Sequence, residues 1–232
     1  MKNIIITGSS RGIGFELVKL FNQNDFKVIA LSRNTKPISN LKLKNVKSFY
    51  LDISSPESIN KTIKLVSEEF KKIDILINNA GTLINKPFNE TSFKDFQSIY
   101  NVNVFGVAEL IRQLILYFNK KSHVINISSI GGIGGTSKFP GLSAYSSSKG
   151  ALNILTEMLA EEFKDKDISF NTLALGAVQT EMLEEAFPGY KANISPSEMA
   201  NFIYKFSLDG NNFFNGKIIP VSTTSPWKET RF

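Results

Sequence analysis

Cysteine is absent from the 232-residue chain, and histidine occurs once, as His123. Without thiols there is no disulfide and no thiolate metal site, and one imidazole argues against a histidine-based metal centre. No metal-binding residues are therefore expected. The chain holds only 8 Pro and 15 Gly, and neither a low-complexity tract nor an internal repeat is visible. No apolar run approaches the ~20 residues of a membrane span. The chain passes from Met1-Lys2 straight into Asn3-Ile4-Ile5-Ile6 and turns at Thr7-Gly8, a pattern that does not fit a secretory signal. These absences lead us to expect a soluble cytoplasmic protein without membrane partners. The length suits one α/β domain over residues 1–232, with ample core.

What remains in excess is positive charge: 27 Lys and Arg against 21 Asp and Glu, a net +6. A basic chain can serve nucleic acid. Here, however, Lys42, Lys44, Lys47, Lys61, Lys64, Lys71 and Lys72 are scattered, the pattern of a solvated face, and no nucleic-acid partner is expected. The charge also suits a phosphorylated cofactor or an acidic carrier partner.

Short β-branched runs predict strands at 2–7, 27–31, 46–51, 74–77, 123–127, 168–175 and 217–221. Helical patterns lie between them, including a long apolar one over 92–118 and another over 145–163. Ser55-Pro56-Glu57 and Ser195-Pro196-Ser197-Glu198 read as helix starts, with serine caps and proline in the first turn. Alternating strands and helices imply a doubly wound parallel sheet with right-handed crossovers. In such sheets ligands bind beyond the carboxyl ends of the strands. Gly8, Arg33, Asp52, Asn78, Ser129 and Gly176 all fall at those ends. His123 falls at the opposite end of its strand and is read as structural.

The first strand runs into Thr7-Gly8-Ser9-Ser10-Arg11-Gly12-Ile13-Gly14 and then a helix, the context that phosphate binding at a helix N-terminus requires. Gly8 allows the sharp turn, while Gly12 and Gly14 let backbone approach a pyrophosphate and let helix approach strand. After the second strand comes Ser32-Arg33-Asn34. An acid there would bind a ribose 2′-hydroxyl, whereas an arginine accommodates a 2′-phosphate. With Arg33 in place and Arg11 nearby, NADP(H) is expected over NAD(H).

Tyr145 and Lys149, four apart, share one face of a helix. A free phenol titrates near ~10, and poising it near ~7 requires ~4 kcal/mol. A unit charge at ~4–5 Å with an effective dielectric of ~20 supplies ~3.5–4 kcal/mol. The ammonium alone is thus expected to make Tyr145 an acid/base at neutral pH. Asn103, inside the long helix, is unfavourable there and must face solvent or have a polar task.

Thr7-Gly8-x-x-x-Gly12-x-Gly14, Asp52, Asn78-Asn79-Ala80-Gly81, Asn103, Ser129, Tyr145-x-x-x-Lys149 and Gly176-x-x-x-Thr180 together resemble the short-chain dehydrogenase/reductase family over nearly the whole chain. The resemblance implies a Rossmann fold and a set of roles. Tyr145 would exchange a proton with the substrate oxygen, and Ser129, rather than Ser128, would position that oxygen. Lys149 would hold the nicotinamide ribose and lower the pKa of Tyr145. Asn103 would kink its helix and anchor a water linked to Lys149. The cofactor would lie along Gly8, Ser10, Arg11, Gly12, Ile13, Gly14, Ser32, Arg33, Asp52, Ile53, Asn79, Ala80, Gly81, Gly176, Val178 and Thr180, as well as Tyr145 and Lys149. Asp52 would contact the adenine, Asn79 and Gly81 the ribose, and Thr180 the carboxamide or phosphates.

The chain departs from the family pattern at Leu175-Gly176, where Pro-Gly is usual, in its long 130–143 loop, and in a short lid over 181–195. It also lacks the Asp-Gly-Gly ending common in carrier-protein ketoreductases. The expected activity is NADPH-dependent reduction of a carbonyl, or its reverse, on a small hydrophobic substrate. Phe139, Leu142, Val178, Met182, Leu183, Phe187 and Trp227 are the candidate walls, within a substrate loop at about 176–200. A 3-oxoacyl-carrier-protein-type ketoreductase, a sugar-nucleotide epimerase and an NADP(H)-binding sensor are the alternatives. Helices apolar on more than one face suit a homodimer or homotetramer.

Overall fold

The computed structural model describes residues 1–223. Among these, the strands are β1 (Asn3–Thr7), β2 (Lys27–Ser32), β3 (Val46–Tyr50), β4 (Ile73–Asn78), β5 (Phe118–Ser129), β6 (Ile168–Leu175) and β7 (Lys217–Val221). They form one sheet in the order β3-β2-β1-β4-β5-β6-β7, with every neighbouring pair parallel. The helices are α1 (Gly12–Gln23), α2 (Lys36–Ser39), α3 (Pro56–Glu69), α4 (Phe93–Tyr100), α5 (Gly106–Leu114), α6 (Ser143–Glu162), α7 (Glu181–Ala186) and α8 (Pro196–Asp209). This is the expected doubly wound α/β sheet of Rossmann type. Its order reverses between β1 and β4, which opens a crevice at their carboxyl ends.

The unbroken Ile4-Ile5-Ile6 run makes sense because both faces of β1 are covered. Side chains alternate across a strand, so Ile5 packs with Val66, Leu110 and Phe170 on one side. Ile4 and Ile6 pack with Leu17, Phe21 and Ile203 on the other. Ser55 caps α3 by accepting from the Ser58 N–H, and Ser195 and Glu198 form a capping box on α8. Ser92 and Asp95 form another on α4.

The expected helix over 92–118 is interrupted and shorter. Between α4 and α5 the residues Asn101–Phe105 form a π-helical turn, and α5 ends at Leu114. Phe118 belongs to β5 instead, where it pairs with Ile73. The strand expected at 123–127 therefore starts earlier. Its early half escapes a periodicity reading because the register shifts between Ile73 and Ile75, with Lys121 at φ 60° in the irregular stretch. The helix expected from 145 begins at Ser143, and the short α2 and α7 were not anticipated. The other strands fall within one residue of their expected bounds.

His123 is buried away from the crevice, as expected of a structural residue. Its Nδ1 lies 3.3 Å from the Ser207 carbonyl oxygen and its Nε2 3.0 Å from Asn171 Nδ2. A carbonyl only accepts, so Nδ1 carries the proton. Asn171 Oδ1 is already taken by the Lys217 N–H, so its amide nitrogen faces Nε2 and donates to it. The site therefore holds the neutral ring, and burial pushes its pKa down from 6.5 to about 4. Because the folded pKa lies below the unfolded one, this contribution to stability is complete above 6.5 and is lost as pH falls towards about 4. In urea unfolding, the stability advantage of the wild type over His123→Gln should shrink by about 3 kcal/mol over that window. An advantage independent of pH would contradict this assignment.

Candidate active site

The carboxyl end of β1 turns sharply at Gly8, where φ is +69°, and the chain enters α1 through Gly12 at φ +56°. Both values lie where a side chain is strained. The turn is tied to its neighbours: the Gly8 N–H donates to the Leu31 carbonyl at 2.8 Å, and Asn79 Nδ2 reaches the Thr7 and Gly8 carbonyls at 3.1 Å. The Ala80 N–H completes the knot on Thr7 Oγ1 at 3.0 Å. A Cβ on Gly14 would stand 2.3 Å from the Gly8 carbonyl oxygen, so Gly14 is what lets α1 press against the turn.

Above this turn lies a cleft of about 520 Å³, within the range of small-molecule sites. Nearly all of the expected cofactor residues line it: Gly8, Ser10, Arg11, Gly12, Ile13, Ser32, Arg33, Asp52, Ile53, Asn79, Ala80, Gly81, Gly176, Val178 and Thr180. Gly14 and Asn103 are not among its walls. Gly14 is a packing glycine, and Asn103 stands behind the wall. Thr180 is partly committed elsewhere, because its hydroxyl caps α7 by accepting from the Leu183 N–H at 3.3 Å. The expected substrate walls Phe139, Leu142, Met182, Leu183 and Phe187 face the same space, joined by Leu83 and Tyr190. Trp227 lies outside the described residues.

Ser129, Tyr145 and Lys149 meet on one side of the cleft. The Lys149 ammonium is buried and donates to the Ile127 carbonyl at 2.8 Å, with its nitrogen 5.7 Å from the centre of the Tyr145 ring. Burial pushes the Lys149 pKa down to about 8. Burial likewise pushes the Tyr145 phenol up to about 12, against a hydrogen bond from Ser129 that favours the charged form. The expectation that the ammonium alone brings the phenol near neutrality therefore fails for the protein by itself. Desolvation raises the phenol's pKa more than the Ser129 hydrogen bond lowers it. Of the two serines, Ser129 is the one on the phenol, whereas Ser128 is buried and donates to the Lys149 carbonyl at 3.2 Å.

Asn103 has the polar task. Fully buried in the π-helical turn, it accepts from the Thr82 N–H at 2.9 Å and donates to the Thr82 carbonyl at 2.9 Å and to Ser148 Oγ at 3.0 Å. Ser148 in turn donates to the Tyr145 carbonyl at 2.7 Å. One amide thus joins the loop after β4 to the first turns of α6.

Residues 2–191 match the family model described as short chain dehydrogenase. The chain belongs to the short-chain dehydrogenase/reductase family. An uncharacterized oxidoreductase of Staphylococcus saprophyticus is 30% identical over 242 aligned residues, covering 97% of each chain. Among solved structures, 4-hydroxyisoleucine dehydrogenase complexed with NADH superposes with a TM-score of 0.84 at 27% identity, covering 96% of this chain and 97% of that one. ElxO with NADP bound superposes at 0.82 with 28% identity, covering 95% and 96%. The oxidoreductase family is thereby established, and with it an enzyme of CH–OH/C=O chemistry.

Some residues that shape this short-chain dehydrogenase/reductase site were not foreseen. Ser148 and Thr82 are ordinary polar residues until the fold joins them through Asn103. Glu185 carries no sequence signal either; it grips Arg11, which lines the cleft. No helix among the described residues is long and apolar enough to cross a membrane. Asn103→Ala leaves the Thr82 amide and carbonyl and the Ser148 hydroxyl short of partners in a buried place, at about 1–3 kcal/mol for each group left unsatisfied. The variant should melt at lower temperature than the wild type, and an unchanged melting temperature would deny Asn103 this joining role.

Proposed function

We propose that this chain is an NADPH-dependent carbonyl reductase, able to run in reverse as an alcohol dehydrogenase, with Tyr145 as its acid/base. The meeting of Tyr145, Ser129 and Lys149 on one wall of the cleft carries this reading. The residues suit a dinucleotide. Gly12 takes a φ of +56°, which turns the backbone into the glycine loop that leads into the N-terminus of α1, where a phosphate would approach. The Ser9 hydroxyl in that turn is buried without a hydrogen-bond partner. Lys149 has ammonium protons beyond the one given to Ile127, suited to ribose hydroxyls. Such a cofactor, when bound, supplies the hydride.

The chain's own residues then act on the substrate oxygen. Ser129 donates a hydrogen bond that positions it, and Tyr145 hands it a proton. At neutral pH the phenol is protonated, the form that donates in the reductive direction. Asp52, at the end of β3, suits an adenine. Arg33, at the end of β2, suits a 2′-phosphate. One of the similar structures holds NADH and the other NADP, so the NADP preference rests on Arg33 and its neighbour Arg11. Residues 176–200 serve as the substrate loop, and the apolar side chains of Met182, Leu183, Phe187, Phe139 and Leu142 suit a carbonyl on a hydrophobic body. Exposed Phe105, Ile154 and Met158, each more than half accessible, suit burial against a second copy of the chain.

Tyr145→Phe should lower turnover of a ketone or aldehyde panel by at least about 100-fold, while NADPH binding stays within about twofold. Retained turnover would remove Tyr145 from the reaction. Arg33→Ala should weaken NADPH by about tenfold or more, the scale of a lost charged hydrogen bond, and leave NADH nearly unchanged. Equal weakening of both would count against a 2′-phosphate contact.

A further inference from the structure

Arg11 lines the cleft, and Glu185, 174 residues away in the chain, grips it. The contact is two-pronged: Nη1 to Oε1, and Nη2 to Oε2 at 3.1 Å. Glu185 sits on α7, whose Met182 and Leu183 wall the substrate side. At the next residue, Asn85 Nδ2 donates to the Ala186 carbonyl at 2.8 Å. The short helix is thus held by two pins, and the arginine pin belongs to the glycine turn. Both partners are exposed, at 47% and 61%, so the pair is a solvated one that a stronger anion can exchange. The carboxylate occupies the Nη1–Nη2 edge of the guanidinium and offsets its charge, so a phosphate approaching that edge must displace it.

We propose that Glu185 is a cofactor-selectivity residue: it competes with the 2′-phosphate for Arg11, so NADP(H) must take the guanidinium from the lid, whereas NAD(H) leaves the pair intact. This rests on the reading above that the cleft binds NADP(H) with its 2′-phosphate near Arg33 and Arg11. The carboxylate therefore narrows the preference for NADP(H), and NADP(H) binding removes one of the two pins on α7.

Fluorescence titrations with NADPH and NADH on the full chain test this, using the wild type, Arg11→Ala, Glu185→Gln and the double variant. Glu185→Gln should tighten NADPH about three- to fivefold, leave NADH within about twofold, and have no effect in the Arg11→Ala background. An equal shift for both cofactors, a shift that persists without Arg11, or no shift at all would overturn the competition. Arg33→Ala separates this failure from that of the underlying reading. If it selectively weakens NADPH while Glu185→Gln changes nothing, only the competition falls. If the wild type binds neither cofactor, or Arg33→Ala weakens both equally, the 2′-phosphate reading falls and the competition with it.

Discussion

The position of α6 along β5 is the constraint on which the site depends, because α6 carries Tyr145, Lys149 and Thr156, and β5 carries the groups they meet. Four successive β5 residues are involved. Asn126 Nδ2 donates to Thr156 Oγ1 at 2.9 Å, the Ile127 carbonyl accepts from Lys149 Nζ, Ser128 donates to the Lys149 carbonyl, and Ser129 meets the phenol. Thr156 Oγ1 also accepts from Thr172 at 2.8 Å and donates to the Leu152 carbonyl at 2.8 Å, so its hydrogen-bonding capacity is filled. Asn126 Oδ1 is likewise taken, by Asn78 Nδ2 at 2.8 Å. Sliding α6 by one turn would strand these buried groups, at about 1–3 kcal/mol each. Apolar packing tolerates small slips more readily than such a ladder does, so the polar residues set the register and the isoleucines supply the burial.

Burial also decides the electrostatics. Judged as a pair in water, Tyr145 and Lys149 would pull each other towards their charged forms. Inside the fold both move the other way, the phenol up to about 12 and the ammonium down to about 8, each because its charged form has lost solvent. A Coulomb sum needs only a distance and a dielectric constant, but the desolvation that opposes it depends on all the surrounding atoms. The hydrogen bond from Ser129 partly offsets that burial at the phenol.

What could be read from residues alone follows the range of the interaction. Strands such as β1 and β6 were legible because a β-branched run between turn residues has few other fates, and the caps at Ser55 and Ser195 because capping is local. The glycine turn and the Tyr145–Lys149 spacing were legible for the same reason. The π-helical turn at Asn101–Phe105 was not: its extra residue is set by where Asn103 must reach, and Thr82 and Ser148 lie far away in sequence. Nor was the early half of β5, whose pairing with Ile73 crosses a register shift. The choice between Ser128 and Ser129 needed the direction in which each side chain points.

Arg11 shows the same limit at the functional edge. By position it belongs to the glycine turn, and counting residues gives the cleft two equivalent arginines. The fold makes them unequal, because α7 returns over the cleft and sets Glu185 against one of them. A positive charge on a cleft wall is therefore not a fixed quantity: its strength towards any anion is whatever remains after its intramolecular partner is displaced. Because that partner rides on the helix whose Met182 and Leu183 line the cleft, the glycine turn and α7 are joined through one ion pair.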